Sequence, residues 1–193
     1  MSSHAHLRPL AMIAAVSYGA GAALELVREQ PTTFTSPLDY LIEAGFVGGL
    51  AATVAVLVGL LRRQRAAVAR VALGVAAAGN TALLVAATGT LLLGREVLDG
   101  VFGLGLLGVV VGYLGLAVVD LLRRLTPRLT GIILMLGFAG SIVVSGLLAA
   151  LLGHAGDNGT AGGFALAAAW VAVTRLLAAP SAEVTEPVAA ANV

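Results

Sequence analysis

The chain of 193 residues contains no cysteine, and its eleven basic residues are all arginine. Without cysteine there is no disulfide, no thiolate metal site and no thiol catalysis. Charge of either sign is scarce. Only 11% of residues are charged, against roughly 25% in an ordinary soluble domain. The net charge of +1 provides no field for nucleic acid, so no nucleic-acid partner is expected. Histidine is confined to His4, His6 and His154. None lies inside an apolar run, which argues against a haem held between two intramembrane imidazoles. Also missing are a P-loop, an H-E-x-x-H pair, a G-x-S-x-G elbow and a C-x-x-C pair. No catalytic residue, metal ligand or cofactor site is assigned.

What the chain does have is apolar length. Hydrophobic residues make up 59% of it, and the mean hydropathy is +1.01. A chain this apolar cannot cover a water-facing surface. A helix needs about 20 apolar residues to cross a hydrocarbon core of about 30 Å. Six runs qualify: Pro9–Val27, Pro37–Leu61, Ala66–Gly94, Val97–Leu122, Leu129–Gly153 and Ala161–Ala179. Closed β-barrels are the other spanning solution, but the runs are continuous in Leu, Ala and Val with no period of two. All six prolines fall at or beyond the ends of these runs. The expected fold is therefore an all-α polytopic transmembrane bundle of six spans in three antiparallel hairpins. In domain terms, residues 1–8 are expected to form a cytoplasmic N-terminal segment, 9–179 the six-helix transmembrane domain and 180–193 a disordered cytoplasmic tail. A cleaved signal peptide at "HLRPLAMIAAVSYGAGAA" is the rival for the first span. The run continues to Val27 with a single arginine before it, which favours an uncleaved helix.

Arginine sets the expected orientation. Arg8, Arg62, Arg63, Arg65, Arg70, Arg123, Arg124, Arg128 and Arg175 fall on one side of a six-span layout, and only Arg28 and Arg95 on the other. Both termini and the arginine-rich loops should face the cytoplasm of a cell with this protein in its plasma membrane.

Lipid is as apolar as leucine, so helix association must rely on close packing and polar contacts. Gly108 and Gly112 form a G-x-x-x-G, and Gly137, Ser141 and Ser145 a small-residue stripe. Both are expected to be packing faces, within the chain or toward a second copy or another membrane protein. Asn80 is the strongly polar residue nearest a span centre. An unpaired amide in hydrocarbon is costly, so it should bond to another helix.

The acids gather at the outer ends. Asp39 follows Ser36-Pro37-Leu38 in an S-x-x-D pattern and reads as half of a capping box. Glu43 lies one turn deeper, where an acid needs a partner or a wet recess. Glu25, Arg28, Asp39, Glu43, Arg95 and Asp99 together form a candidate outer polar cluster. It is read first as an ion-pair lock between hairpins, and otherwise as a cation-binding vestibule.

The arginine-only usage, the short hairpinned spans and the repeated "LLRR" at Leu60–Arg63 and Leu121–Arg124 resemble the uncharacterised small polytopic membrane proteins of GC-rich actinobacteria. The resemblance covers Pro9 to Pro180 in layout, and it implies membrane residence without any activity. The favoured role is a non-enzymatic accessory or sensory membrane component. The alternatives are a small cation transporter or channel, and a membrane-embedded enzyme acting on lipid or isoprenoid.

Overall fold

The computed structural model describes residues 5–27, 36–93, 98–122, 127–152 and 162–178. They form a short 3-10 turn, Ala5–Leu7, and six helices: α1 (Arg8–Leu26), α2 (Pro37–Arg63), α3 (Ala67–Leu93), α4 (Asp99–Leu121), α5 (Thr130–Leu152) and α6 (Gly163–Ala178). No strand occurs among the described residues. The expected all-α bundle is what the chain forms.

Local chemistry places the helix ends. Pro9 sits in the first turn of α1 and Pro37 in that of α2, where a missing N–H costs nothing. Ser36 and Asp39 make the full capping box that their spacing predicts, each side chain bonding the other residue's backbone N–H. Five helices, α1 to α5, are long and apolar enough to cross a membrane. With 16 residues α6 is shorter, about 24 Å at 1.5 Å per residue. Large apolar side chains are exposed on all six helices, among them Val16, Leu41, Val71, Leu104, Leu136 and Val171. A water-soluble monomer does not present apolar surface on every side.

Each helix packs against its neighbours in chain order, and α6 returns to α1. The bundle is thus a closed ring. The α3–α4 seam is its most extensive contact, and glycine makes that possible. A Cβ on Gly79 would lie 2.5 Å from the Gly108 carbonyl carbon, and one on Gly112 would lie 2.5 Å from the Ala76 Cα. The two backbones touch with no side chain between them. Gly108 and Gly112 therefore lie in a seam inside this chain. The Gly137 stripe behaves alike: a Cβ on Gly137 would run into Ala169 of α6.

The two ends of the ring differ. One end carries the α1 N-terminus, the α2–α3 and α4–α5 connections and the α6 C-terminus. Arg8, Arg62, Arg63, Arg65, Arg70, Arg128 and Arg175 are all exposed there; we call it the arginine end. Six rods about 10 Å across, set in a ring, enclose a central space about one rod wide. Toward the arginine end that space is filled by aliphatic side chains. Val56, Leu57, Leu60, Leu73, Leu116, Val119, Leu134, Val173 and Leu177 are all fully buried. Toward the other end it is not filled.

Candidate functional site

The unfilled space is a cavity of about 330 Å³ lined by residues of all six helices. Its walls are mainly apolar and aromatic: Phe46 and Leu50 from α2, Leu83 from α3, Phe102, Leu106 and Val109 from α4, Phe138 and Ile142 from α5, and Leu166 and Trp170 from α6. Tyr18 of α1 and Tyr113 of α4 also line it, with Asn80, Ser141 and Ser145. The aromatic rings brace one another. Tyr18 lies 6.1 Å from Phe46, and Tyr113 meets Phe138 edge-on at 6.2 Å. Such tilted contacts are favourable, and flat rings held this way leave space that branched aliphatic chains would fill. Gly49 leaves room for Tyr18: a Cβ there would be 2.6 Å from the ring.

A layer of neutral polar groups lies at mid-bundle, between cavity and aliphatic plug. The Tyr18 hydroxyl and the Thr53 hydroxyl are 3.3 Å apart, with either able to donate. The Asn80 Nδ2 donates to the Ala76 carbonyl at 2.8 Å and to the Tyr113 hydroxyl at 3.3 Å. The Tyr113 hydroxyl in turn donates to Asn80 Oδ1 at 3.5 Å. Asn80 is buried and does bond to another helix, as an intramembrane amide requires. The Asn80–Tyr113 distances are longer than the usual 2.7–3.2 Å of an N–H···O bond, so the amide oxygen keeps accepting capacity on the cavity side. Ser145 Oγ is buried with no hydrogen-bond partner among the described residues. Ser141 is satisfied locally, donating to the Phe138 carbonyl at 2.7 Å.

At the arginine end, Asp120 joins α4 to α5. It is buried on the last turn of α4 and accepts from the Ile132 N–H at 2.9 Å. Ile132 is in the first turn of α5, so a carboxylate from one helix caps the positive end of the next. The connection before it is tight. Leu129 has φ 70°, a left-handed conformation that leucine rarely takes. The Thr130 hydroxyl donates to the Pro127 carbonyl at 3.0 Å, bracing the turn.

The outer polar cluster divides in space. Gly21 of α1 packs against Gly45 of α2, and antiparallel register from that contact brings Glu25 level with the start of α2. Glu25, Asp39 and Glu43 therefore share one hairpin end. Glu25 and Glu43 are half-buried and Asp39 is buried in its capping box. Asp99 is exposed in the first turn of α4, whose packing partners are α3 and α5. Arg28 and Arg95 lie outside the described residues. Among the described residues no three acids or histidines converge as metal ligands would.

Sequence reading singled out Asn80, Ser141 and Ser145 but not Tyr18, Thr53, Tyr113, Asp120 or Trp170. A signal for the tyrosines was present. Tyr40 stands near a span end, as an interfacial anchor does, whereas Tyr18 and Tyr113 lie well inside their runs and their hydroxyls need partners. Comparison with known proteins adds no relative, since no family model, curated protein or solved structure matches the chain.

Proposed function

We propose that the protein is a multi-pass plasma-membrane component of non-enzymatic, sensory or accessory type, whose hollow half receives a small apolar molecule. The observation that carries this reading is the cavity of about 330 Å³ at the centre of the ring. That volume is at the small end of the 300–1,000 Å³ range of ligand pockets. An apolar guest would cover the aromatic and aliphatic wall that the ring leaves unpacked.

Among the described residues, the polar groups that line the cavity are tyrosine, serine and asparagine, all neutral hydrogen-bonding groups. Such a set can orient a guest. Segregation of the described arginines to one end supports an orientation with that end in the cytoplasm.

Trp170 is the only tryptophan of the chain and lines the cavity. Bromobenzene, a heavy-atom quencher of pocket size, should therefore quench the fluorescence of the protein in nanodiscs saturably. Leu166→Phe, which adds bulk at the cavity wall, should abolish the saturable part. A purely linear dependence on bromobenzene, unchanged by Leu166→Phe, contradicts the reading.

A further inference from the structure

The cavity wall is unevenly exposed. Tyr18, Leu50, Leu83, Val109, Tyr113 and Trp170 are buried. Three lining side chains are exposed, Phe102 at 42%, Leu106 at 39% and Ile142 at 62%. Phe102 and Leu106 belong to α4, and Ile142 to α5. Ile142 lies ten residues before the end of α5, about 15 Å along the axis. Leu106 lies seven residues after the start of α4, about 10 Å along it. At those depths exposure is through the side of the bundle rather than through its end.

Three contacts between α4 and α5 lie nearer the arginine end than this opening: the Asp120–Ile132 hydrogen bond, the Leu116–Gly131 approach and the Tyr113–Phe138 ring pair. In a bilayer the opening bordered by Phe102 and Leu106 of α4 and Ile142 of α5 faces lipid.

Resting on the pocket reading above, we infer that the guest is a neutral membrane amphiphile, an acyl or isoprenyl chain ending in one hydroxyl or carbonyl, which enters sideways between α4 and α5. Its polar end reaches the Asn80–Tyr113 pair, where the amide oxygen and the phenol have hydrogen-bonding capacity to spare. The described lining residues offer a charged headgroup no counter-ion, and a bare charge in an apolar pocket is costly. A whole phospholipid is too large for the cavity. The tail of the guest lies past Phe102, Leu106 and Ile142, in continuity with the bilayer.

The test uses the full chain in phosphatidylcholine nanodiscs with Trp170 as reporter. 9,10-Dibromostearyl alcohol should quench Trp170 saturably, and unlabelled oleyl alcohol should relieve the quenching. Dibromostearate at pH 9 and dibromo-phosphatidylcholine should leave Trp170 bright. The chain has no cysteine of its own, so Ile142→Cys gives a single thiol at the mouth. Its reaction with a bulky maleimide should remove the quenching by the alcohol, while a methyl-sized thiol reagent at the same position should not. If the Ile142→Cys protein fails to fold, Leu106→Cys on the opposite flank serves the same purpose. Equal quenching by alcohol and phosphatidylcholine, or quenching that survives the bulky block, overturns the inference. If bromobenzene quenches and the alcohol does not, the pocket stands and the lipid guest falls. If neither quenches, both fall.

Discussion

The two halves of this bundle share one backbone plan and differ in what fills its centre. From the arginine end to mid-bundle the interior is Leu and Val in mutual contact, and nine such side chains are fully buried. Beyond the Asn80 layer the same six helices hold aromatic rings apart around a cavity of about 330 Å³. The α4–α5 pair shows the contrast in a single seam. It is clamped by the Asp120 carboxylate at one end and bordered by exposed cavity residues toward the other. On the proposed reading, stability and reception are separated along the helix axis. The filled half sets the ring, and the hollow half is free to be occupied.

This contrast is open to attack by mutation, read as thermal unfolding in one detergent. Truncation in the filled half should hurt most. Leu116→Ala truncates a fully buried side chain of the aliphatic plug, and should cost about 2–4 kcal/mol. A loss under about 1 kcal/mol would show that this half is not close-packed. Asp120→Ala comes next. It deletes a buried helix cap, and should cost about 1–2 kcal/mol. Hydrogen exchange at the first amides of α5 should rise with it. Unchanged exchange there would mean that the clamp does not hold α5. The smallest effect belongs to the border between the halves. Tyr113→Phe keeps the ring against Phe138 and removes the hydroxyl from Asn80. It should cost about 0.5–1 kcal/mol, the usual worth of an interhelical hydrogen bond in a membrane protein. A loss above about 2 kcal/mol would make the polar layer a structural keystone rather than a border.

Much of the ring's framework was legible in the residues. The apolar runs, the marginal prolines and the Ser36–Asp39 box anticipate the helices to within a few residues. The small-residue spacing at Gly108 and Gly112 marks a close seam, though spacing alone does not say which helix fills it. The hollow half was not legible, for a physical reason. A helix in lipid is apolar on every face, so the pattern of α5 does not reveal that Phe138 looks inward and Leu136 outward. Asp120 escaped for another reason. Its i, i+3 and i, i+4 surroundings are ordinary, and its partner Ile132 is set by the turn at Leu129. The acids were visible as a group, but helix order around the ring puts Asp99 away from the α1–α2 hairpin that carries Glu25, Asp39 and Glu43.

The most direct measurement compares two enlargements on α6. Leu166 and Val173 are seven residues apart, two turns along one face of the helix. Leu166 lines the cavity and Val173 is fully buried in the filled half. The account predicts opposite signs of change in melting temperature. Leu166→Phe should raise it, as cavity filling does, by about 0.5–2 kcal/mol of stability. Val173→Phe should lower it through overpacking, by about 1–3 kcal/mol. If Leu166→Phe destabilises as much as Val173→Phe, the ring has no hollow half and the proposed site goes with it.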